Sequence, residues 1–247
     1  LIEAAGGWLK IEALEQQHKE NPAAKSLSPY SGWIEAKNAV FSGPREPDAV
    51  IKEKKAGLED AAQTELSMGV KVKILAREKN SGLRVLLPGG ESGVVSEKNV
   101  NYLPVKLPED ELRRKIIETA RKFLGDKYYW GGRSGFAADC SGLVSLVYRA
   151  WGMDLPRNAS DQFALSKSVP KESLKPADLV FSSEADHPKD MTHVMLYSGN
   201  GKLIEATRDT DSVREVSFKE KFGLDLARMK NGQAPNGKKI YFRRIIK

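Results

Sequence analysis

The hydrophobic pattern of this chain passes from strand period to helix period in the proline-bounded stretch LPVKLPEDE (residues 103–111), and that change limits what can fold on either side. Before it, short apolar runs are separated by Gly-containing turns, the pattern of strands in small antiparallel sheets. After it, Leu112, Ile116, Ile117, Ala120, Phe123 and Leu124 recur at helical spacing, and Gly125 stands where a helix C-terminus is capped. A β-rich first part followed by a part mixing helices and strands predicts an α+β protein of several domains. With 247 residues, 40% of them hydrophobic, the chain can bury more than one core.

In the first part, WLKIEAL (8–14) and YSGWIEAKNAV (30–40) predict strands around a polar insertion. VKVKILAREK (70–79), LRVLLPGG (83–90) and ESGVVSEKNVNYL (91–103) predict strands at short spacing. Both groups finish on Gly and an apolar pair, Gly32-Trp33-Ile34 and Gly93-Val94-Val95, followed by a short polar segment. This weak internal repeat points to two small β-barrels of a binding-module kind. SGPREPDAVIKEKKAG (42–57) is rich in Pro, Gly and charge and reads as a linker. The expected organisation is a first barrel over 1–44 lacking its opening strand, a linker over 45–60, a second barrel over 61–104 and a third domain over 105–247. Because the chain opens directly on a strand pattern, a further N-terminal segment, with any export signal, is expected to precede it.

The net charge of +7 is spread along the chain, with no basic block and no basic-aromatic interleaving. It reads as a solvated basic surface suited to anionic polymers, with no nucleic-acid partner expected. No apolar run has the length of a membrane span, so no transmembrane segment is expected, and the protein is expected to act as a monomer.

The single cysteine, Cys140, excludes an internal disulfide framework and any multi-cysteine zinc site but leaves room for a nucleophile. Leu143, Val144, Val147, Ala150 and Trp151 form one apolar helical face closed by Gly152, and Asp139 occupies the N-cap position. Cys140 therefore falls in the first helical turn, where unpaired N–H groups and the helix dipole favour a thiolate. A structural role, the commonest fate of a free cysteine, is the alternative.

A nucleophilic thiol needs a base, and there are three histidines. His18 lies in the polar insertion and His187 precedes a proline in a charged loop, whereas His193 opens the apolar run THVMLY. That run, the turn SGNG and KLIEAT predict a hairpin; centred on Gly199, it sets His193 directly opposite Glu205. The inferred set is Cys140 as nucleophile, His193 as base and Glu205 as the carboxylate that fixes its tautomer. Asp186, His187, Asp190 and His193 also cluster in sequence, but their spacing matches no standard zinc motif and no metal or organic cofactor is expected.

Residues 128–207 resemble the NlpC/p60 family of bacterial cell-wall cysteine peptidases, which have a papain-like fold. The resemblance rests on Y-x-W-G-G (128–132), D-C-S-G-L-V (139–144), L-P-R-N-A-S (155–160), L-K-P-A-D-L-V-F (174–181) and H-V-x-L-Y-x-G-N-G-K-x-I (193–204). It implies the same roles for Cys140, His193 and Glu205, although the third position is usually His, sometimes Asn or Gln, and is Glu here. It also places Tyr128 near the nucleophile.

The two leading segments resemble bacterial SH3 domains. Two such modules ahead of this domain resemble γ-D-glutamyl-L-diamino acid endopeptidases, which cut L-Ala-γ-D-Glu-diamino acid stem peptides bearing a free N-terminus. That resemblance assigns substrate binding to Asp139, Ser141 and Ser160, and to Tyr30, lent by the first module. It implies peptidoglycan stem peptides as partners. The implied location is the bacterial cell envelope, periplasmic or secreted, with cytoplasmic recycling as the alternative. The competing readings are a non-catalytic wall-binding protein, and an amidase or acyltransferase on the same fold.

Overall fold

The computed structural model describes residues 1–21, 24–41, 43, 46–184, 186–187, 190–233 and 235–246. The first element is a three-stranded antiparallel sheet, β1 (Glu3–Ala5), β2 (Trp8–His18) and β3 (Ser28–Glu35). Strand β2 runs well past the predicted segment, because the polar stretch Glu15–His18 is held by other partners. Arg157 N–H donates to Gln17 O (2.9 Å), and the Arg133 guanidinium donates to Glu15 O (3.0 Å). Lys19 N–H donates to the Asp161 carboxylate (3.2 Å). No described residue before Ala49 is buried, so this sheet takes its order from the domain it leans on rather than from a core of its own.

A seven-stranded sheet follows: β4 (Ala49–Ile51), β5 (Lys55–Glu59), β6 (Glu65–Ser67), β7 (Lys71–Arg77), β8 (Gly82–Leu86), β9 (Ser92–Ser96) and β10 (Val100–Tyr102), in the order β10-β4-β7-β8-β9-β5-β6. It closes over Ile51, Leu66, Val72, Leu83, Val85 and Val95. The linker expected over 45–60 is not one: it carries β4 and β5, and Ala49, Val50, Ile51 and Ala56 are fully buried. Charge misled the composition reading, since KAGLE alternates charged or small residues outward with Ala56 and Leu58 inward. The weak repeat is real at backbone level. Both Gly-apolar-apolar strands run into a single 3-10 turn, Ala36–Asn38 and Glu97–Asn99, entered through Glu35 (φ −63°, ψ 133°) and Ser96 (φ −64°, ψ 132°).

The third part holds α1 (Glu109–Arg121), α2 (Cys140–Arg149), α3 (Ala159–Leu165) and α4 (Phe218–Phe222). Its antiparallel sheet contains β11 (Lys167–Ser168), β12 (Leu179–Glu184), β13 (Met191–Gly199), β14 (Lys202–Thr207), β15 (Ser212–Ser217) and β16 (Lys238–Arg244), ordered β11-β16-β12-β13-β14-β15. Helix α1 ends at Arg121, before the predicted cap; Phe123 is nonetheless buried in a tight turn and Gly125 takes φ +86°. Helices α1 and α2 bury Ile116, Ile117, Leu143 and Val147 against Val194, Leu196 and Ile204 of the sheet. A second cluster, with Phe218, Phe222 and Phe242, includes Val180, Met195 and Leu203 of the same strands, so the sheet is covered on both faces.

The seven-stranded sheet docks behind α2. Met68 enters the α2 cluster, Arg149 Nε donates to Gly69 O (2.6 Å) and Asn101 donates to Ala150 O (2.7 Å). Among the described residues no helix is long and apolar enough to cross a membrane.

Candidate active site

Asp139 caps α2 as its position implies: its Oδ1 accepts the Gly142 N–H (2.7 Å) and its carbonyl accepts the Leu143 N–H (2.8 Å). The N–H groups of Cys140 and Ser141 have no acceptor among the described residues. They sit beside the sulfur at the positive end of the helix. The preceding loop packs its Gly132 carbonyl so close to Gly142 that a Cβ there would stand 2.0 Å from the oxygen, which accounts for Gly in D-C-S-G.

Burial alone would raise the Cys140 pKa, and the neighbouring Asp139 adds to that. A hydrogen bond and positive charge from His193, together with the Val194 N–H, overcome both and hold the thiol below its ordinary value. His193 bonds the thiol on one side and Glu205 on the other, with Nε2 2.6 Å from Glu205 Oε2, which leaves Nδ1 for the sulfur. Burial would lower the His193 pKa, but the thiolate and carboxylate raise it to about 9. Burial would likewise raise Glu205, but His193 and Lys221 bring it down to about 2. These directions favour a thiolate beside an imidazolium, backed by an ionised carboxylate.

The predicted route to this pair needs correction. The β13–β14 register runs Leu196↔Ile204 and Tyr197↔Leu203, with an irregularity before Gly199↔Lys202. It is displaced by two residues from a hairpin centred on Gly199, so His193 and Glu205 do not face each other directly. A two-residue displacement preserves the side of the sheet each residue occupies, and the pair meets diagonally.

A cleft of about 420 Å³ opens beside Cys140, and all five residues expected to bind substrate line it: Tyr30, Tyr128, Asp139, Ser141 and Ser160. Tyr30 comes from the first sheet, with its hydroxyl donating to Asn158 Oδ1 (2.9 Å) and its ring stacked on His18 (centroids 3.8 Å apart). His18 is therefore at the end of β2 and part of the cleft wall's support, not in an insertion. Burial, with Cys140 and Asp139 nearby, raises the Tyr128 pKa and keeps its hydroxyl protonated. The four acidic and histidine residues near 186–193 do not form a metal cluster; no group of three or more such side chains among the described residues does.

Four side chains were missed by sequence reasoning. Arg157 is buried and binds Asp139 through both oxygens, Nη2 to Oδ2 at 2.7 Å and Nη1 to Oδ1 at 3.1 Å. Gly131 N–H, Ser141 Oγ and Gly142 N–H also donate to the Asp139 carboxylate, so both its oxygens are held by protein donors. The signal was in the quoted L-P-R-N-A-S, where Arg stands among apolar and small residues. Gln16 lines the cleft. Arg214 and Lys221 grip Glu205, and neither lies in a motif that marked it.

Residues 125–240 match the model of the NlpC/P60 family. The chain is 28% identical over 232 residues to a γ-D-glutamyl-L-lysine dipeptidyl-peptidase of Bacillus cereus, covering 87% of this chain and 66% of that protein. It is 29% identical over 220 residues to a protein of the same name from Bacillus subtilis, covering 87% of this chain and 71% of the relative. A probable endopeptidase p60 of Listeria welshimeri is 40% identical over 91 residues, 37% of this chain and 17% of that one. A crystal structure of an NlpC/P60 family protein from Bacillus cereus superposes with a TM-score of 0.78 at 23% identity, covering all of this chain and 78% of that one, which shows a shared fold. The segment that holds Cys140, His193 and Glu205 belongs to the NlpC/P60 family.

Proposed function

We propose that the protein is a cysteine peptidase of bacterial cell-wall peptides that hydrolyses the bond between γ-D-Glu and the following diamino acid. The observation that carries this reading is the contact chain Cys140–His193–Glu205, whose cysteine lines a cleft that Tyr30 of the first sheet also walls. The Cys140 thiolate attacks the γ-carbonyl and the oxyanion is taken up by the unpaired N–H groups at the start of α2. His193 protonates the departing amine, then takes a proton from the water that releases the acyl group. Two relatives are named for γ-D-glutamyl-L-lysine substrates, which fits a diamino acid on the leaving side.

In this reading the N-terminal sheets are SH3-like modules and the C-terminal domain is papain-like. The first module supplies Tyr30 to a wall that stops longer peptides and favours a free N-terminal L-Ala, with Ser141, Ser160, Tyr128 and the Asp139–Arg157 pair around it. The enzyme works on wall fragments in the envelope or on fragments being recycled. Incubation with L-Ala-γ-D-Glu-diamino acid tripeptides should release L-Ala-γ-D-Glu, and Cys140→Ala should release none. Product formation by Cys140→Ala at the wild-type rate would refute the assignment.

A further inference from the structure

Glu205 is 1% exposed, yet three basic side chains, His193, Arg214 and Lys221, meet on its carboxylate. Its Oε1 accepts from Arg214 Nη2 (2.8 Å) and Nε (3.0 Å). Its Oε2 is shared by His193 Nε2 (2.6 Å) and Lys221 Nζ (2.9 Å). The cations arrive from two separate elements. Arg214 is the direct cross-strand neighbour of Glu205 on β15. Lys221 sits on α4, a short helix fixed by a Ser217–Glu220 capping box and ended by Gly223 at φ +71°. The Lys221 side chain is only 8% exposed, which is costly for an ammonium without close anions. Its other anion is the exposed Asp209, at 3.2 Å.

A buried carboxylate at this distance from an imidazole, left to itself, would hold the imidazolium too strongly for the ring to give up its proton. A general acid and base works best with a pKa near the working pH. Two cations on the same carboxylate draw its charge away from the ring and fix its rotamer.

We infer that Arg214 and Lys221 are positioning residues that orient Glu205 and cancel part of its charge, so that it aligns His193 without locking the ring in its protonated form. Around Glu205 the charged and titratable groups are His193 from β13, Arg214 from β15, Lys221 from α4 and Asp209 from the β14–β15 turn, with Cys140 beyond the ring on α2. Arg214 and Lys221 are the cations that touch the carboxylate besides His193. The inference rests on Cys140 and His193 being the reacting pair.

Because Cys140 is the sole cysteine, its alkylation by iodoacetamide against pH reports the ionisation of the pair without any substrate. The full chain is measured in parallel for hydrolysis of the tripeptide. Lys221→Gln should move the upper alkylation step and the alkaline limb of kcat to higher pH by about one unit, a roughly tenfold tighter proton on His193. It should also lower kcat with KM within about twofold. Lys221→Arg should restore the wild-type profile, and Asp209→Asn, an exposed change that leaves Lys221 wholly to Glu205, should move the step the other way. A Lys221→Gln protein that folds but keeps both steps at wild-type pH, or moves them down, overturns the inference. If wild-type protein shows no two-step alkylation, the Cys140–His193 reading fails instead; a normal profile without tripeptide hydrolysis would sink only the substrate assignment.

Discussion

Glu205 Oε2 and His193 Nε2 lie 2.6 Å apart although the two residues are not directly opposed in their hairpin. The diagonal contact lets β13 reach Cys140 through both the ring and the Val194 backbone N–H while β14 keeps the carboxylate behind the ring. Removing the ring should therefore cost both the base and the thiolate. His193→Gln is expected to lower kcat/KM by about 10³-fold or more and to slow alkylation of Cys140 at neutral pH. Alkylation at the wild-type rate would contradict the ion pair.

Stability should carry the mark of the same pair. Glu205 is brought from 4.5 down to about 2, so its contribution is whole above about pH 4.5 and is lost as pH falls toward 2. His193 is raised from 6.5 to about 9, so its contribution is whole below about pH 6.5 and is lost as pH climbs through 9. Urea unfolding at about pH 3, 6 and 10 should find wild type most stable at the middle value. Glu205→Gln should be weaker there and flatter toward acid; an acid slope equal to wild type would remove Glu205 from the account.

Arg157 and Asp139 form a buried two-point ion pair that holds the start of α2. Arg157→Met leaves a buried carboxylate without its partner and should cost about 3 kcal/mol of stability, read by urea denaturation. Arg157→Lys, with a single point of contact, should fall between. Equal stability of all three proteins would show that the pair does not organise the helix.

How far the site could be read from sequence depended on whether its parts were local. The Asp139 cap and the position of Cys140 depend on residues within one turn, and both were legible. His193 and Glu205 share an apolar hairpin, so their meeting was legible while their register was not: the irregularity beside Gly199 leaves no mark in the hydrophobic pattern. Arg214 and Lys221 were invisible because a basic residue on a partly exposed strand or a five-residue helix looks like ordinary solvated charge until the fold sets it on Glu205. For a related reason β4 and β5 look like linker in sequence: three-residue AVI is too short to show a period, and KAGLE is masked by its outward charges. The long reach of β2 depended on partners more than 100 positions away, such as Arg157 on Gln17 and Arg133 on Glu15.

Tyr30 joins the first sheet to the cleft through Asn158. Tyr30→Ala should raise KM for the free tripeptide about tenfold and leave alkylation of Cys140 unchanged, because the thiol–imidazole pair is not touched. Tyr30→Phe, which keeps the stack on His18 and loses the hydroxyl bond, should raise it less. Unchanged kinetics for Tyr30→Ala would show that the first module is no part of the substrate wall.

The most direct measurement is mass spectrometry of wild-type protein incubated with L-Ala-γ-D-Glu-L-Lys, the diaminopimelate counterpart and the N-acetylated form of each, with Cys140→Ala as the blank. Release of L-Ala-γ-D-Glu from the unblocked peptides, and not from the acetylated ones or the blank, is the predicted result. Intact tripeptides after prolonged incubation with folded protein, or cleavage at another bond, would contradict it.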